Sequence, residues 1–354
     1  MGFDNLINSS FVAWMEADKG PESDIVISSR IRLARNLSQM PFPHLLDEAK
    51  GQEVLDKIKD AWRRKNSPVP EFDLITFNEL AYIDREILVE KHLISPEHAK
   101  SDKSYRGVLV NHDGSVAIMI NEEDHLRIQC LLPGLQVDKC YEIAQELDDL
   151  LEEHLDYAFD EKIGYLTSCP TNVGTGIRAS VMLHLPALSI TGQTMQIFQN
   201  VGQLGMTVRG LYGENSEMQG NLFQLSNQVT LGQTEEDIIS NLTTIVNQIV
   251  GQERLVRTKL ASETKDQLED RIGRAYGILT NAKIMNSNEA LKHLSDVRLG
   301  VDMGIINDIK KFVLNQLVVA LRPAHLQKKT GQEMDAINRD IVRAGVIKEK
   351  ILSR

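Results

Sequence analysis

Strand patterns stop about two thirds of the way along this 354-residue chain. Up to about Glu253, short β-rich runs alternate with amphipathic stretches, whereas from Arg254 to Arg354 isoleucine, leucine and valine recur at three- and four-residue steps between charges. That spacing is typical of helices that each bury one face. The sequence therefore predicts two domains, residues 1–254 with strands and helices and residues 255–354 with helices alone.

Turn and cap residues locate individual elements of the first domain. A β-hairpin is predicted where Asn111-His112-Asp113-Gly114 separates two apolar runs. Ser95 before Pro96, and Thr234 three residues before Asp237, are typical first residues of helices. Strands are expected at residues 24–28, 106–110, 115–120, 162–168, 207–212 and 222–229, and helices at residues 52–64, 137–157 and 234–253.

The composition excludes several classes of function. With 39 Lys+Arg against 50 Asp+Glu, the formal net charge of -11 repels nucleic acid and suits basic protein partners. The three cysteines form no C-x-x-C pair and their number is odd, so we expect a reducing, cytoplasmic environment, no disulfide framework and no zinc site. The first residues lack a signal-peptide pattern, and no apolar run approaches the ~20 residues that cross a bilayer. We expect neither a nucleic-acid nor a membrane partner.

The first charged motif is Ser28-Ser29-Arg30-Ile31-Arg32, at the exit of an expected strand. Side chains two residues apart on an extended chain point the same way, so Arg30 and Arg32 could grip one polyphosphate with both guanidinium forks. Two ordinary surface arginines are the alternative.

The second motif runs from Asn121 to Arg127 and contains three adjacent acids. Glu122, Glu123 and Asp124 repel one another, which favours a cation or a bound guanidinium beside them. Arg127 lies four residues past Glu123 and could reach the same phosphate cluster as the first arginines. A solvated acidic loop is the alternative.

The third motif, residues 169–179, contains a partial match to the dinucleotide-binding fingerprint G-x-G-x-x-A. We reject that reading because residues 180–206 contain no acid to bind a ribose. The glycines instead allow backbone N–H groups to approach a phosphate, or Arg178 to project. Cys169, just before Pro170, is either a buried small apolar residue or a reactive thiolate.

The fourth motif places Arg209 and Glu214 on either side of a turn bracketed by glycines. They lie near each other either as two parts of a site or as a structural salt bridge. No stretch is decisive alone, and the sequence carries no P-loop, protein-kinase, zinc-protease or serine-hydrolase signature.

Taken together and in this order, with Ser226-Asn227-Gln228 as a fifth stretch, these motifs closely resemble the phosphagen kinase (ATP:guanido phosphotransferase) superfamily, in particular its bacterial branch, the protein arginine kinases. The resemblance covers about residues 24–253, and its C-P-T-N-x-G-T and N-E-E-D-H-L-R motifs are highly specific. It implies an α+β fold, with an antiparallel sheet wrapped by helices, followed by the all-helical domain.

The resemblance also implies a role for each motif. Glu123 and Glu214 would grip the guanidinium of the acceptor, Glu123 being the preferred general base, and Cys169 would lie beside it. Mg²⁺ would bridge the phosphates of ATP. Five arginines would hold those phosphates: Arg30, Arg32, Arg127, Arg178 and Arg209.

Two departures from the small-molecule guanidino kinases refine this expectation. Those enzymes carry a helical domain before the first arginine pair, whereas only a short segment precedes Arg30 here, so a polypeptide could enter. The family's usual histidine near the adenosine, in an expected helix after Arg178, is Met182. The adenine contacts are therefore left open.

The helical third contains Arg339-Asp340-Ile341-Val342-Arg343-Ala344. Arg339 and Arg343 are one helical turn apart with Asp340 beside them, so this face could bind a phosphoarginine through both its phosphate and its guanidinium. A solvated charged helix is the alternative. The family carries an R-D-x-x-R-A motif of this kind in a phosphoarginine-receptor domain that also dimerises.

The resulting hypothesis is an ATP-dependent kinase that phosphorylates arginine side chains of proteins. The family implies a basic stress-response repressor among its clients, delivery of marked proteins to a Clp protease, a small activator protein and a homodimer. Two alternatives are a kinase for free arginine or a related metabolite, and a catalytically silent adaptor that reads phosphoarginine.

Overall fold

The computed structural model describes residues 2–16, 20–64, 71–210 and 219–353. An eight-stranded antiparallel sheet forms its centre, in the order β2-β3-β4-β5-β1-β8-β10-β9. The strands are β1 Val26–Arg35, β2 Phe72–Thr76, β3 Gly107–Asn111, β4 Val116–Ile120, β5 Leu126–Pro133, β6 Phe159–Asp160, β7 Gly164–Tyr165, β8 Ile177–His184, β9 Met206–Arg209 and β10 Leu222–Asn227. Strands β6 and β7 form a separate short pair.

Helices surround the sheet and make up the last third of the described chain. They are α1 Phe3–Asn8, α2 Glu48–Arg64, α3 Tyr82–Glu90, α4 Pro96–Ala99, α5 Val137–Glu152, α6 Pro186–Ile190, α7 Thr194–Gln203, α8 Glu235–Glu263, α9 Lys265–Asn281, α10 Ser287–Asp302, α11 Lys311–Ala320, α12 Pro323–Thr330 and α13 Ala336–Leu352. The predicted α+β class with a helical C-terminal region is confirmed. Within the described residues no helix has an apolar stretch long enough to cross a bilayer.

The two faces of the sheet are covered differently. On one face, Ile31 and Leu33 of β1 are buried in a core that includes side chains from α2, α5 and α8. Burying an aliphatic side chain of this size contributes roughly 1.5–3 kcal/mol, so this face supplies much of the stability. The other face is covered on one side by a core built from the N-terminal segment, α3, α11 and α12, including Trp14, Ile87 and Val319.

Several predicted elements are confirmed and several need correction. The hairpin is present as β3 and β4, and Ser95 and Thr234 cap their helices through hydrogen bonds to the N–H groups of His98 and Asp237. The expected helix at 137–157 ends at Glu152. The expected strand at 162–168 is wrong except for β7, because residues 162–163 belong to a turn and residues 166–168 are irregular.

Two further corrections concern the junction and the first motif. Helix α8 does not end near Glu253 but continues to Glu263, so the proposed boundary at residue 254 falls inside a helix and stays a prediction. Arg30 and Arg32 are not at a strand exit, because β1 continues to Arg35.

Candidate active site

The uncovered part of the second sheet face borders a cleft of about 550 Å³. All the predicted catalytic and ATP-binding residues that the structure describes line this one cleft: Arg30, Arg32, Glu123, Arg127, Cys169, Arg178 and Arg209. The remaining one, Glu214, lies outside the described residues.

The central strands bring the arginines together. In β1, Arg30 and Arg32 alternate with the buried Ile31 and Leu33, as a strand with one packed face requires. Arg32 is paired in register with Arg178 of β8. On the other side of β1, strand β5 places Arg127 opposite Ala34. Antiparallel pairing therefore converts three separated motifs into one cationic surface.

Gly176 allows β8 to begin close to β1. Its φ of +66° lies in the left-handed region, which favours glycine. A Cβ atom on this residue would lie 2.7 Å from the carbonyl oxygen of Ala34 and 2.5 Å from Nη1 of Arg35. The glycine of the third motif therefore permits a close strand approach two residues before Arg178.

Crowding makes this surface favourable for anions. Burial, together with the smaller effects of the charges of Arg127 and Arg178, lowers the pKa of Arg30 to about 9. The pKa of Arg32 is likewise well below its usual value through burial and the same neighbouring arginines. Bound phosphate oxygens would relieve this repulsion and accept charge-assisted hydrogen bonds.

Neutral side chains orient two of the arginines. Arg30 donates from Nη2 to Oε1 of Gln224 at 2.7 Å and from Nε to Oγ of Ser180 at 3.4 Å. Nη2 of Arg178 lies 3.5 Å from Oγ of Ser226 in the fifth motif. Gln224 and Ser180 form no recognisable local pattern with an arginine more than a hundred residues away, so the sequence alone does not indicate them.

The three adjacent acids, Glu122, Glu123 and Asp124, have different surroundings, which explains how the fold accommodates their mutual repulsion. Glu122 is buried, and its Oε2 lies 2.8 Å from Nη1 of Arg127. Its other oxygen accepts a hydrogen bond from the hydroxyl of Ser95. Burial by itself would raise the pKa of Glu122, but Arg127, Ser95 and the Glu123 N–H outweigh it and lower that pKa to about 2. Glu122 is therefore a fixed anion that holds Arg127.

Asp124 connects the acidic segment to the cysteine loop. Its Oδ1 accepts hydrogen bonds from Nδ2 of Asn36 at 2.6 Å and from the N–H of Ser168 at 2.7 Å. Ser168 directly precedes Cys169, whose Sγ lies 3.0 Å from Oγ1 of Thr171. Asp124 thus fixes the position of the cysteine loop relative to Glu123. The Cys169 side chain is partly exposed to the cleft rather than buried as a small apolar residue.

Glu123, between these two buried and anchored acids, is the solvent-exposed carboxylate of the segment. Burial raises its pKa above the usual value, the charges of Glu122 and Asp124 raise it further, and Arg127 opposes them. A carboxylate with a raised pKa is a better proton acceptor than an ordinary one. The Glu123 carboxylate, with its raised pKa, lines the same cleft as the five arginines.

One wall of the cleft was not predicted from the sequence. Residues 92–97 follow α3 and form a turn into α4, and His92, Ile94, Ser95, Pro96 and Glu97 line the cleft. His92 has a φ of +64°, and its ring packs against that of Trp14 with the centroids 5.6 Å apart and the planes tilted by 60°. The only local signal was the helix cap at Ser95, which gave no indication of a site.

A narrower pocket of about 50 Å³ continues from the cleft between the sheet and the helical region. It shares Arg30, His92 and Gln224 with the cleft, and Leu294 of α10 forms part of its far wall. Met182 also lines this pocket. The expectation that Met182 lies in a helix is wrong, because it belongs to β8.

The R-D-x-x-R-A motif lies on α13. Arg343 is buried and donates to the carbonyl oxygens of Leu321 and Met285, both at 3.0 Å, and to the carboxylate of Asp340. Arg339 is partly exposed and donates to the carbonyl oxygen of Met334 at 2.6 Å. The motif therefore presents Arg339 and Asp340 to the surface while Arg343 supports them from within.

Known families match most of the chain. Residues 53–256 match the model of the ATP:guanido phosphotransferase C-terminal catalytic domain, and residues 265–354 match the Protein-arginine kinase McsB C-terminal domain. A protein-arginine kinase from Syntrophomonas wolfei is 60% identical over 99% of this chain and 98% of its own length. One from Halothermothrix orenii is 51% identical over 99% of both chains.

Solved structures share the catalytic fold. The duplicated taurocyamine kinase from Schistosoma mansoni, with bound transition state analog components, is 25% identical with a TM-score of 0.60 over 69% of this chain and 36% of that chain. Lombricine kinase has the same TM-score at 23% identity, over 71% of this chain and 73% of its own. From the two domain models and the full-length relatives, the chain belongs to the protein-arginine kinase family of ATP:guanido phosphotransferases.

Proposed function

We propose that this protein is an ATP-dependent kinase that transfers the γ-phosphoryl group to arginine side chains of proteins. The observation that carries the proposal is the single cleft that five arginines share with Glu123 and Cys169. Its relatives named as protein-arginine kinases, at up to 60% identity over nearly the whole chain, support the same acceptor.

The arginine side of the cleft would bind the triphosphate. A γ-phosphoryl group in transfer spreads negative charge over its equatorial oxygens, and fixed guanidinium groups stabilise that charge. We assign this role to the five cleft arginines: Arg30, Arg32, Arg127, Arg178 and Arg209. The adenine base of ATP would extend toward the narrow pocket beside Met182, which the helical region helps to enclose.

Mg²⁺ belongs to this proposal as the ion that would supply further positive charge to the phosphates of the nucleotide. The acidic segment provides carboxylate oxygens, which are ligands of the hard kind that Mg²⁺ prefers. We assign no protein residue as a metal ligand, because Mg²⁺ in such sites is held largely by substrate phosphates and water.

The acidic side would prepare the acceptor nitrogen. A guanidinium is protonated at neutral pH and offers no lone pair, so a base must take one N–H proton as the bond to phosphorus forms. We assign the Glu123 carboxylate as the base that accepts this proton. The nitrogen then bonds to the γ-phosphorus while the bond to the bridging oxygen breaks and ADP leaves with its electron pair. Glu214 would share the grip on the guanidinium, and Cys169 would orient the reacting nitrogen.

A second site is proposed on α13 for phosphoarginine. Arg339 would bind its phosphate and Asp340 its guanidinium, with Arg343 positioning Asp340 from the interior. Further parts of the proposal rest on the family resemblance: a cytoplasmic homodimer, a basic stress-response repressor among the clients, a small activator protein and delivery of marked proteins to a Clp protease. The net charge of -11 is compatible with basic partners.

Phosphoryl transfer to a protein is the decisive test. The protein would be incubated with ATP and Mg²⁺ and with either casein or free arginine. Acid-labile phosphate on casein arginines is the expected result. Turnover of free arginine alone would identify a small-molecule guanidino kinase, and phosphoarginine binding without any turnover would identify an adaptor.

A further inference from the structure

Glu90, the last residue of α3, joins the catalytic region to the helical region. Its carboxylate is buried and accepts hydrogen bonds from the N–H groups of Ala324 at 2.8 Å and His325 at 2.9 Å. Nδ1 of His325 lies 2.6 Å from the same carboxylate. These N–H groups begin α12, where Pro323 occupies the first position. An anion at a helix N-terminus satisfies otherwise unpaired donors and the helix dipole.

The two residues after Glu90 are also held, each by a different element. The ammonium group of Lys91 donates to the carbonyl oxygens of Leu6 and Ser9 in the N-terminal segment. The carbonyl oxygen of His92 accepts from Nε2 of Gln129 at 2.7 Å. The start of the cleft wall, residues 92–97, is therefore fixed by three consecutive anchors.

The far end of the same wall is attached to the acidic segment. The hydroxyl of Ser95 donates to Glu122, which in turn pairs with Arg127. Residues 92–97 thus extend from Glu90, which is bonded to the helical region, to Glu122, which pairs with Arg127. Any movement of α12 against α3 would move a wall of the cleft.

Electrostatic proximity supports the same connection. The pKa of His92 is lowered to about 3 by burial first, and then by the charges of Arg30 and Arg322. Arg322 directly precedes Pro323 at the start of α12, whereas Arg30 lies in the cleft. The charges of one cation of the helical region and one cation of the proposed nucleotide site therefore both act on His92.

We propose that Glu90 is a positioning residue for nucleotide binding, through which α12 sets the position of the cleft wall at residues 92–97. This inference rests on the proposed ATP site. Glu90 touches neither nucleotide nor acceptor in this proposal. It acts by holding His92 and Ser95 where they border the phosphate-binding arginines.

The test is the variant Glu90→Gln in the full chain. Its side chain keeps one acceptor but turns an NH₂ group toward N–H donors, which loosens α12 from α3. We expect the Kd for ATP, measured by titration calorimetry, to rise about tenfold, equivalent to about 1.4 kcal/mol. The KM for casein should change less than twofold, because the acceptor side of the cleft keeps its contacts. His325→Ala removes one of the three hydrogen bonds, and it should give a smaller change in the same direction.

Glu253→Gln is the matched control. Glu253 is another buried glutamate, and it accepts from the N–H groups of Ala187 and Leu188 at the start of α6, a helix that also begins with proline. It does not line the cleft. We expect this control to lower the melting temperature while leaving the Kd for ATP unchanged.

The outcomes separate this inference from the proposed function. Wild-type protein that bound no ATP would overturn both. Wild-type ATP binding that is retained in Glu90→Gln and His325→Ala, with only a fall in melting temperature like that of Glu253→Gln, would overturn the positioning role alone.

Discussion

The carboxylate of Glu122 lies 2.8 Å from the guanidinium of Arg127, so a buried anion fixes one of the cleft arginines. The same carboxylate accepts a hydrogen bond from the hydroxyl of Ser95, in the cleft wall formed by residues 92–97. Glu122 therefore acts as a structural support for the site, although it is adjacent in sequence to the proposed base. Of its two neighbouring acids, Asp124 accepts hydrogen bonds from Asn36 and from the N–H of Ser168, whereas Glu123 is exposed.

Glu122→Gln should make the free energy of unfolding depend less on pH in the acid range. Because the pKa of Glu122 is lowered to about 2, its ionised form stabilises the fold above its ordinary pKa near 4.5, and this contribution is lost as pH falls toward 2. We expect the variant to be less stable at pH 7 by about 3 kcal/mol, the scale for breaking a buried pair. Urea unfolding at pH 7 and pH 3 should show the difference shrinking at pH 3. The exposed Glu146→Gln is the control, and parallel losses at both pH values would contradict the assignment.

Glu123→Gln should abolish phosphoryl transfer while leaving ATP binding intact. Losing a general base lowers kcat roughly 10²–10⁴-fold. Since burial raises the pKa of Glu123, the wild-type kcat/KM should fall on the acid side at a pH above the usual carboxyl range, because only the deprotonated form accepts the proton. Calorimetry should give an ATP Kd within twofold of wild type. Near-normal turnover in the variant would remove Glu123 as the base.

The sequence predicted the charged residues of the cleft better than their supports. Their types and local spacing indicated phosphate and guanidinium binding, but only the family resemblance placed them in one pocket. Gln224 lies 194 positions from Arg30, and its role depends on β10 and β1 lying on either side of β8. Local patterns carry no information about such pairs. The sequence did not indicate a role for Glu90 for the same reason, since its partner His325 is 235 positions away.

Helix α8 shows a different limit. The sequence predicts an end of this helix near Glu253, where strand patterns cease. The structure continues it because Glu253 and Arg257, one turn apart, form a buried pair at 2.9 Å and Glu253 also caps α6. Charged residues in a sequence normally indicate a solvated surface. The sequence therefore gives no sign that this ion pair is buried and joins two parts of the molecule. Tertiary contacts therefore decided this boundary.

Arg32→Met should stabilise the protein and remove its response to ATP. Burial and the charges of Arg30, Arg127 and Arg178 lower the pKa of Arg32, so the unliganded cleft contains unfavourable repulsion. Removing one cation should raise the melting temperature by about 2 °C, as expected for sites that sacrifice stability for binding. Thermal unfolding with and without ATP measures both effects. Arg63→Met, on the exposed surface of α2, is the control and should leave the ATP-induced shift unchanged.

An unchanged ATP-induced shift in Arg32→Met would show that Arg32 contributes nothing to nucleotide binding. A lower melting temperature without ATP would show instead that its side chain is structural. The comparison thus separates electrostatic repulsion from packing, because methionine preserves most of the side-chain length.

The two arginines of the α13 motif should respond differently to alanine. Arg343 is buried and satisfies two backbone carbonyls and Asp340, so Arg343→Ala leaves buried acceptors unpaired and should cost about 2–4 kcal/mol of folding free energy. Replacing Arg339 and Asp340 together should instead weaken phosphoarginine binding at least tenfold, with a change in melting temperature below about 3 °C. Calorimetric titration with phosphoarginine, alongside thermal unfolding, measures both quantities. Unchanged phosphoarginine affinity in the double variant would exclude α13 as the receptor, because these are the motif's two surface-facing charges.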